Sequence, residues 1–241
     1  MNEIKTAFAA YGDKPFLFMW AAILYVFFSL VFFFAAVGLV LIGLIIAFVL
    51  GYEFSTTSPI AIALYALPAL IAVLFYLFVS GGVSAAVVKT FKSALTGGKT
   101  SMIEFYNYGL SRSLMVFSIG ALRDFFMLLL IAPLAAVYVL YLQDYQYMDI
   151  IFCLVVITIA VLFHLLAKPG IIATGLGDPP FDAFKRTFQV FKTKHIYFIG
   201  VYFVYLIVWV LNFVPLLQFI SLFVLYPIVY AALIEMVANT K

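Results

Sequence analysis

Four ionisable side chains stand inside or beside long apolar runs of this sequence: Arg123, Asp124, His164 and Lys168. Burying such a group in a membrane costs free energy, so each is a candidate functional residue by default. Arg123 and Asp124 are adjacent. Neighbouring helix positions differ by about 100°, which predicts that the two do not pair directly and need partners on another helix. Counting back from Gln143 puts them about 29 Å inward, near the edge of a hydrocarbon core of about 30 Å. Two placements stay open: an anchor closing a span at the interface, or charges at depth on one helix over 113–143. His164 and Lys168 are four residues apart and share a helix face. The lysine is expected to snorkel its ammonium to water. His164, one turn deeper, could bond a neighbouring helix, serve a proton path or meet a lipid headgroup.

The stretch "ALTGGKTSM" (94–102) offers a different chemistry. Gly98-Lys99-Thr100 matches the end of a phosphate-binding loop. That motif also needs a glycine five residues earlier, where this chain has Ser93, and a strand leading into it. The reading is a Gly-Gly turn with an exposed lysine, and no nucleotide is expected as partner. Nothing in the sequence points to a nucleic acid. No carboxylate pair, Ser/His/Asp set or metal-ligand spacing is visible, and the single cysteine, Cys153, lies in an apolar run. The sequence therefore reads as non-enzymatic, with no cofactor and no metal.

Composition sets the class of the elements that hold these residues. Hydrophobic residues make up 68% of 241, and charged residues 10%, against roughly a quarter charged in soluble domains. So few charges cannot cover a soluble surface. An all-α, polytopic integral membrane protein follows. Six apolar runs are long enough to cross a bilayer, which takes about 20 residues as helix: 15–50, 59–79, 124–143, 150–167, 196–211 and 216–237. The first is long enough to tilt, project or break, with Gly38 and Gly43 as weak points. Ser80-Gly81-Gly82 is expected to end the second run. Lys168-Pro169-Gly170 is expected to end the fourth, because proline lacks a backbone donor and disfavours helix before it. Polar segments over 83–123 and 171–195 then join the spans.

The basic residues sort with this order. Of 13 Lys and Arg, all fall in the N-terminal segment, the two long connections or the last residue. The three opposite turns hold Glu53, Asp144 and Asp149 instead. Cytoplasmic loops carry the excess of Lys and Arg. The expectation is a multi-pass protein of the cell membrane with both termini cytoplasmic.

Amphipathic segments are expected on that same side. Ile4, Phe8 and Tyr11 form a small apolar face. Asp178-Pro179-Pro180 resembles a helix start, with Asp178 as N-cap. In the helix that follows, Phe181, Phe184, Phe188 and Phe191 fall on one side of the wheel. Asp182, Lys185, Arg186, Gln189 and Lys192 fall on the other. The pattern predicts a helix in the membrane interface, with Lys185, Arg186, Lys192 and Lys194 at lipid headgroups. A soluble helix that buries its phenylalanines against a partner protein is the competing reading. "IKTAFAAYGDK" (4–14) aligns with "FKRTFQVFKTK" (184–194) without gaps, and "FYNYG" (105–109) is a weaker third copy. Within one six-span domain, 1–241, this suggests three units of interfacial helix plus hairpin: 1–79, 83–170 and 178–237.

The opening "IKTAF…KPFLF", the break "KPGIIATGLGD" and the segment "DAFKRTFQVFKTK" together resemble a broad group of prokaryotic six-span proteins. One branch is similar to the membrane domain that precedes some glycerophosphodiester phosphodiesterases. Ala183 and Thr187 hold the small-residue spacing that the group carries after its Pro-Gly pair. The resemblance implies six spans. It does not bring the phosphodiesterase activity, whose domain is not in this sequence. The expected function is to organise lipid or a partner complex at the cytoplasmic face, with membrane lipids, a protein partner or a second copy as partners. The alternative is a small transporter or pore subunit.

Overall fold

The computed structural model describes residues 2–49, 59–145, 147–215 and 217–240. Among the described residues there is helix and turn and no strand. A bilayer offers the backbone no hydrogen-bond partner, and a helix satisfies its own. A short helix α1 (Asn2–Asp13) leads into α2 (Pro15–Val49). Then come α3 (Pro59–Leu95), α4 (Met102–Val137, continued by a π-helical turn, Tyr138–Leu142), α5 (Met148–Leu176) and α6 (Pro180–Leu211). The chain finishes with α7 (Gln218–Ala238), which has a π-helical turn at Ser221–Leu225. Six of these helices, α2 to α7, are long and apolar enough to cross a membrane. This is an all-α, multi-pass architecture. The expected turn at 51–58, with Glu53, lies outside the described residues.

The spans are longer than the apolar runs, and several expected breaks do not occur. The first span runs unbroken through Gly38 and Gly43. Ser80-Gly81-Gly82 does not end α3, which continues to Leu95. The glycines are used for packing instead. A Cβ on Gly82 would lie 2.8 Å from the Gly109 carbonyl oxygen, so α3 and α4 cross with their backbones nearly touching. Lys168-Pro169-Gly170 does not end α5, which runs on to Leu176. Residues 168 to 175 are all buried there, and packing holds the helix across the hydrogen bond that Pro169 cannot donate. A Cβ on Gly170 would stand 3.1 Å from Thr187 Oγ1 of α6. The Pro-Gly pair thus meets the Ala183/Thr187 pair across the α5–α6 contact.

The supposed polar connection 83–123 is helix almost throughout. A capping box starts α4: the Ser101 hydroxyl accepts from Glu104 N at 3.2 Å, and Ser101 N donates to Glu104 Oε2 at 2.8 Å. The third span therefore begins about 20 residues before Asp124. Pro179, not Asp178, is the N-cap of α6, and Pro180 takes the first helical position. Asp178 instead donates its backbone N–H to the Ala173 carbonyl, closing the end of α5. Lys194 has non-helical angles (φ −133°, ψ 18°), so a kink divides α6 where the sequence separates an amphipathic helix from a span.

The helices α2, α4 and α6 begin, and α3, α5 and α7 finish, at one end of the bundle. This is the basic end. Here α7 is the central element: Tyr226, Ile228 and nearly everything from Tyr230 to Val237 is buried. It is surrounded by α1, α3, α5 and α6. Phe18, Phe91, Phe198 and Tyr202 fill the space between them. The far halves bury little. Phe33, Phe34, Leu128, Leu129, Leu154 and Ile157 all face outward, as lipid-facing side chains do.

A polar cavity between the helices

Lys168 does not end its helix. Its residue is 7% exposed, because α5 carries it on into a packed bundle rather than ending there. The ammonium lies 4.7 Å from the ring centre of Tyr205 and 4.8 Å from that of Tyr230. It also donates a long hydrogen bond, 3.4 Å, to the Tyr205 hydroxyl. Two aromatic faces can stabilise a desolvated cation by about 2 kcal/mol or more. Among the described residues no carboxylate pairs with it.

This cation borders a cavity of about 450 Å³ between α2, α3, α5, α6 and α7. Tyr25, His164, Tyr202, Tyr205, Tyr226 and Tyr230 line it with Lys168. Tyr226 stacks on Tyr25 and Tyr230 at 5.7 and 5.4 Å. Tyr202 is fully buried, and its hydroxyl has no hydrogen-bond partner. A buried unpaired hydroxyl is costly, so this one stands out. Trp209, also on the lining, is 49% exposed, so the cavity is not sealed. Sequence reasoning missed these five tyrosines. The available signal was their spacing: Tyr202 and Tyr205 three apart, Tyr226 and Tyr230 four apart, each pair on one helix face.

Arg123 and Asp124 do pair with each other: Nε stands 2.7 Å from Asp124 Oδ1. Their Cβ atoms diverge as the helix requires, but both side chains are long enough to fold back. Arg123 also reaches α5, where Nη1 is 3.3 Å from His164 Nδ1. A guanidinium has no acceptor, so Nδ1 accepts. In the neutral ring the proton then sits on Nε2, a donor. Three of the four candidates thus form one α4–α5 link, and His164 joins it to the cavity that holds the fourth.

The other candidates gather at the basic end. In the first part of α6, Phe181, Phe184 and Phe188 are exposed, whereas Phe191 turns inward onto Phe198. Ala183 and Val190 form the buried face. Lys185 Nζ lies 4.6 Å over the Phe181 ring, and 3.9 Å from Asp182 Oδ1. Lys192 is exposed. Arg186 Nε is 3.1 Å from Asp178 Oδ2, an ion-pair separation without hydrogen-bond alignment. Lys194 Nζ bonds Glu3 Oε1 at 2.7 Å and ties α1 to the kink. That hydrogen bond, chiefly, holds the Glu3 carboxyl down at about 2. Lys92 pairs with Glu235 at 2.5 Å. Beside it, Lys89, Lys92, Tyr108 and Arg112 border a groove of about 420 Å³, with Lys89 Nζ 4.2 Å above the Tyr108 ring.

The Gly-Gly turn also belongs to this end. Gly97 has φ +84°, which suits glycine. The Gly97 and Gly98 N–H groups donate to the carbonyls of Ala94 and Ser93 at 3.0 and 2.8 Å. They finish the C-terminus of α3, where the helix dipole is negative and repels phosphate. Lys99 Nζ rests 5.4 Å over Trp20, whose indole N–H donates to the Thr100 carbonyl at 2.8 Å. No family model, curated protein or solved structure matches this chain.

Proposed function

We propose that the protein is a non-enzymatic integral membrane protein that binds and organises anionic lipid at its basic end. The observation that carries this is the first part of α6. Its phenylalanines 181, 184 and 188 face outward beside Lys185 and Lys192. Exposed aromatic rings next to cations suit the boundary between acyl chains and headgroups. Each basic residue near an anionic surface contributes on the order of 1 kcal/mol. The groove of Lys89, Lys92 and Arg112 adds cations at the same end. The excess of Lys and Arg at this end supports a cytoplasmic orientation for it. With Cys153 replaced by serine, introduced cysteines at the exposed positions 99 and 189 should label only after permeabilisation, and one at 213 from outside.

The test is lipid retention. Protein purified with mixed phosphatidylglycerol and phosphatidylcholine should retain the anionic lipid several-fold in excess. Replacing Lys185, Arg186, Lys192 and Lys194 with glutamine should remove most of that preference. Equal retention of both lipids by the unaltered protein sinks the reading. A fluorophore at 188 that reports water in lipid vesicles would favour a protein partner as the occupant. A second reading, a small transporter or pore subunit, is favoured by the cavity around Lys168. It calls for solute flux into vesicles reconstituted with the protein, abolished when the cavity is filled by Leu206→Trp.

A further inference from the structure

We infer that the cavity between α2, α3, α5, α6 and α7 is a binding site for an amphiphile with an anionic head and an apolar body. This goes beyond lipid binding at the basic end, and rests on different residues.

The polar groups on the cavity wall are unbalanced. Lys168 brings a full positive charge, 7% exposed, with no carboxylate partner among the described residues. The lining contains no Asp or Glu. His164 Nδ1 is occupied by Arg123, so the ring nitrogen left over is the Nε2 donor. The buried Tyr202 hydroxyl has no partner, and its proton is free to be given. The wall therefore offers donors and positive charge, and its missing member is an acceptor with negative charge. A carboxylate or phosphate oxygen meets that need. A neutral or cationic head would leave Lys168 as it is and gain little.

Apart from Ser84, whose hydroxyl donates to the Ser80 carbonyl at 2.9 Å, the rest of the wall is apolar or aromatic. Tyr25, Tyr226 and Tyr230 present stacked rings, and Val161 and Leu206 complete one side. About 450 Å³ falls within the usual range of small-molecule sites. It exceeds what a bare inorganic anion needs. A hydrocarbon or aromatic body fits it. Lys168, Tyr205 and Tyr230 are buried while Trp209 on the same lining is half-exposed, so the ammonium sits on the buried side of the cavity. A ligand would enter body-outward, with its head resting on Lys168.

Equilibrium binding to the full-length protein in uncharged detergent tests this, using radiolabelled palmitate, dioleoyl phosphatidic acid and inorganic phosphate as separate probes. Saturable binding of about one palmitate or one phosphatidic acid per chain is expected. Palmitate alone identifies a carboxylate amphiphile, and phosphatidic acid a phospholipid source. Lys168→Met should weaken the bound probe at least tenfold, and Lys168→Arg by less than threefold. Tyr202→Phe removes one oxygen without changing shape, and should cost several-fold even if Lys168→Met fails to fold. Measured in the glutamine variant at 185, 186, 192 and 194, which removes the basic-end cations, binding of one amphiphile per chain that is sensitive to Lys168→Met and Tyr202→Phe should persist, which separates this site from the basic end. The inference is overturned by no saturable binding of either amphiphile, by binding indifferent to Lys168→Met and Tyr202→Phe, or by inorganic phosphate binding as tightly as the amphiphiles.

Discussion

Arg123 has a carboxylate on the next residue of its own helix, 2.7 Å away, and an imidazole across the α4–α5 contact. Lys168 has two tyrosine faces and no carboxylate. Both cations lie within helices able to span a membrane. The first is electrically closed, because its counter-ion is built into the chain. The second is open, held by ring quadrupoles that stabilise a cation without cancelling its charge. A closed pair is a structural link. An open cation beside a cavity is a site.

That contrast predicts opposite responses to mutation. Asp124→Ala should be the most damaging change, since it strands Arg123 in a span. Losing one partner of a buried pair costs about 3–5 kcal/mol. With side chains 22% and 32% exposed, about 2 kcal/mol is expected here. Reversible unfolding in mixed micelles would measure it, and a loss near zero would mean that the pair is solvated. The double variant Arg123→Met, Asp124→Leu should recover about 1 kcal/mol or more of that loss, because apolar side chains in place of the pair leave no charge orphaned. Purely additive losses would break the comparison from the other side.

Lys168→Met should behave unlike either. No carboxylate is orphaned, and the cost of holding an ammonium out of water disappears along with its ring contacts. Stability should stay within about 1 kcal/mol or rise, while anion binding is lost. A loss as large as that of Asp124→Ala would show that Lys168 is structural. The smallest effect belongs to the pair at the basic end, Glu3 and Lys194. Glu3 is lowered from 4.5 to about 2 in the folded protein. Its contribution is therefore complete above pH 4.5 and declines as pH falls toward 2. Glu3→Gln should remove about 0.5–1 kcal/mol at neutral pH, and the difference from the unaltered protein should shrink through that acid window. A pH-independent difference in melting temperature would contradict it.

Legibility differed between fold and site. The spans were readable because each is an apolar run that a bilayer can solvate only as helix. Their ends were not. Gly82 and Gly170 read as terminators in one dimension, whereas in three they let α3 meet α4 and α5 meet α6. Local propensity and tertiary packing make opposite use of the same small side chain. His164 and Lys168 stood out as charges in an apolar context. The tyrosines did not, because a tyrosine looks the same in sequence whether it lies in an aromatic belt or in a cage.

Composition and the distribution of Lys and Arg were enough to determine an all-α, multi-pass chain with one basic end, since hydrophobicity and charge act position by position along the sequence. Only the tertiary structure decided that Pro169 lies inside a helix, that Arg123 carries its own counter-ion, and that Lys168 faces Tyr205, 37 residues away. Those outcomes depend on which helix faces meet, and a face's partner is set by shape complementarity across the whole bundle rather than by any neighbouring residue.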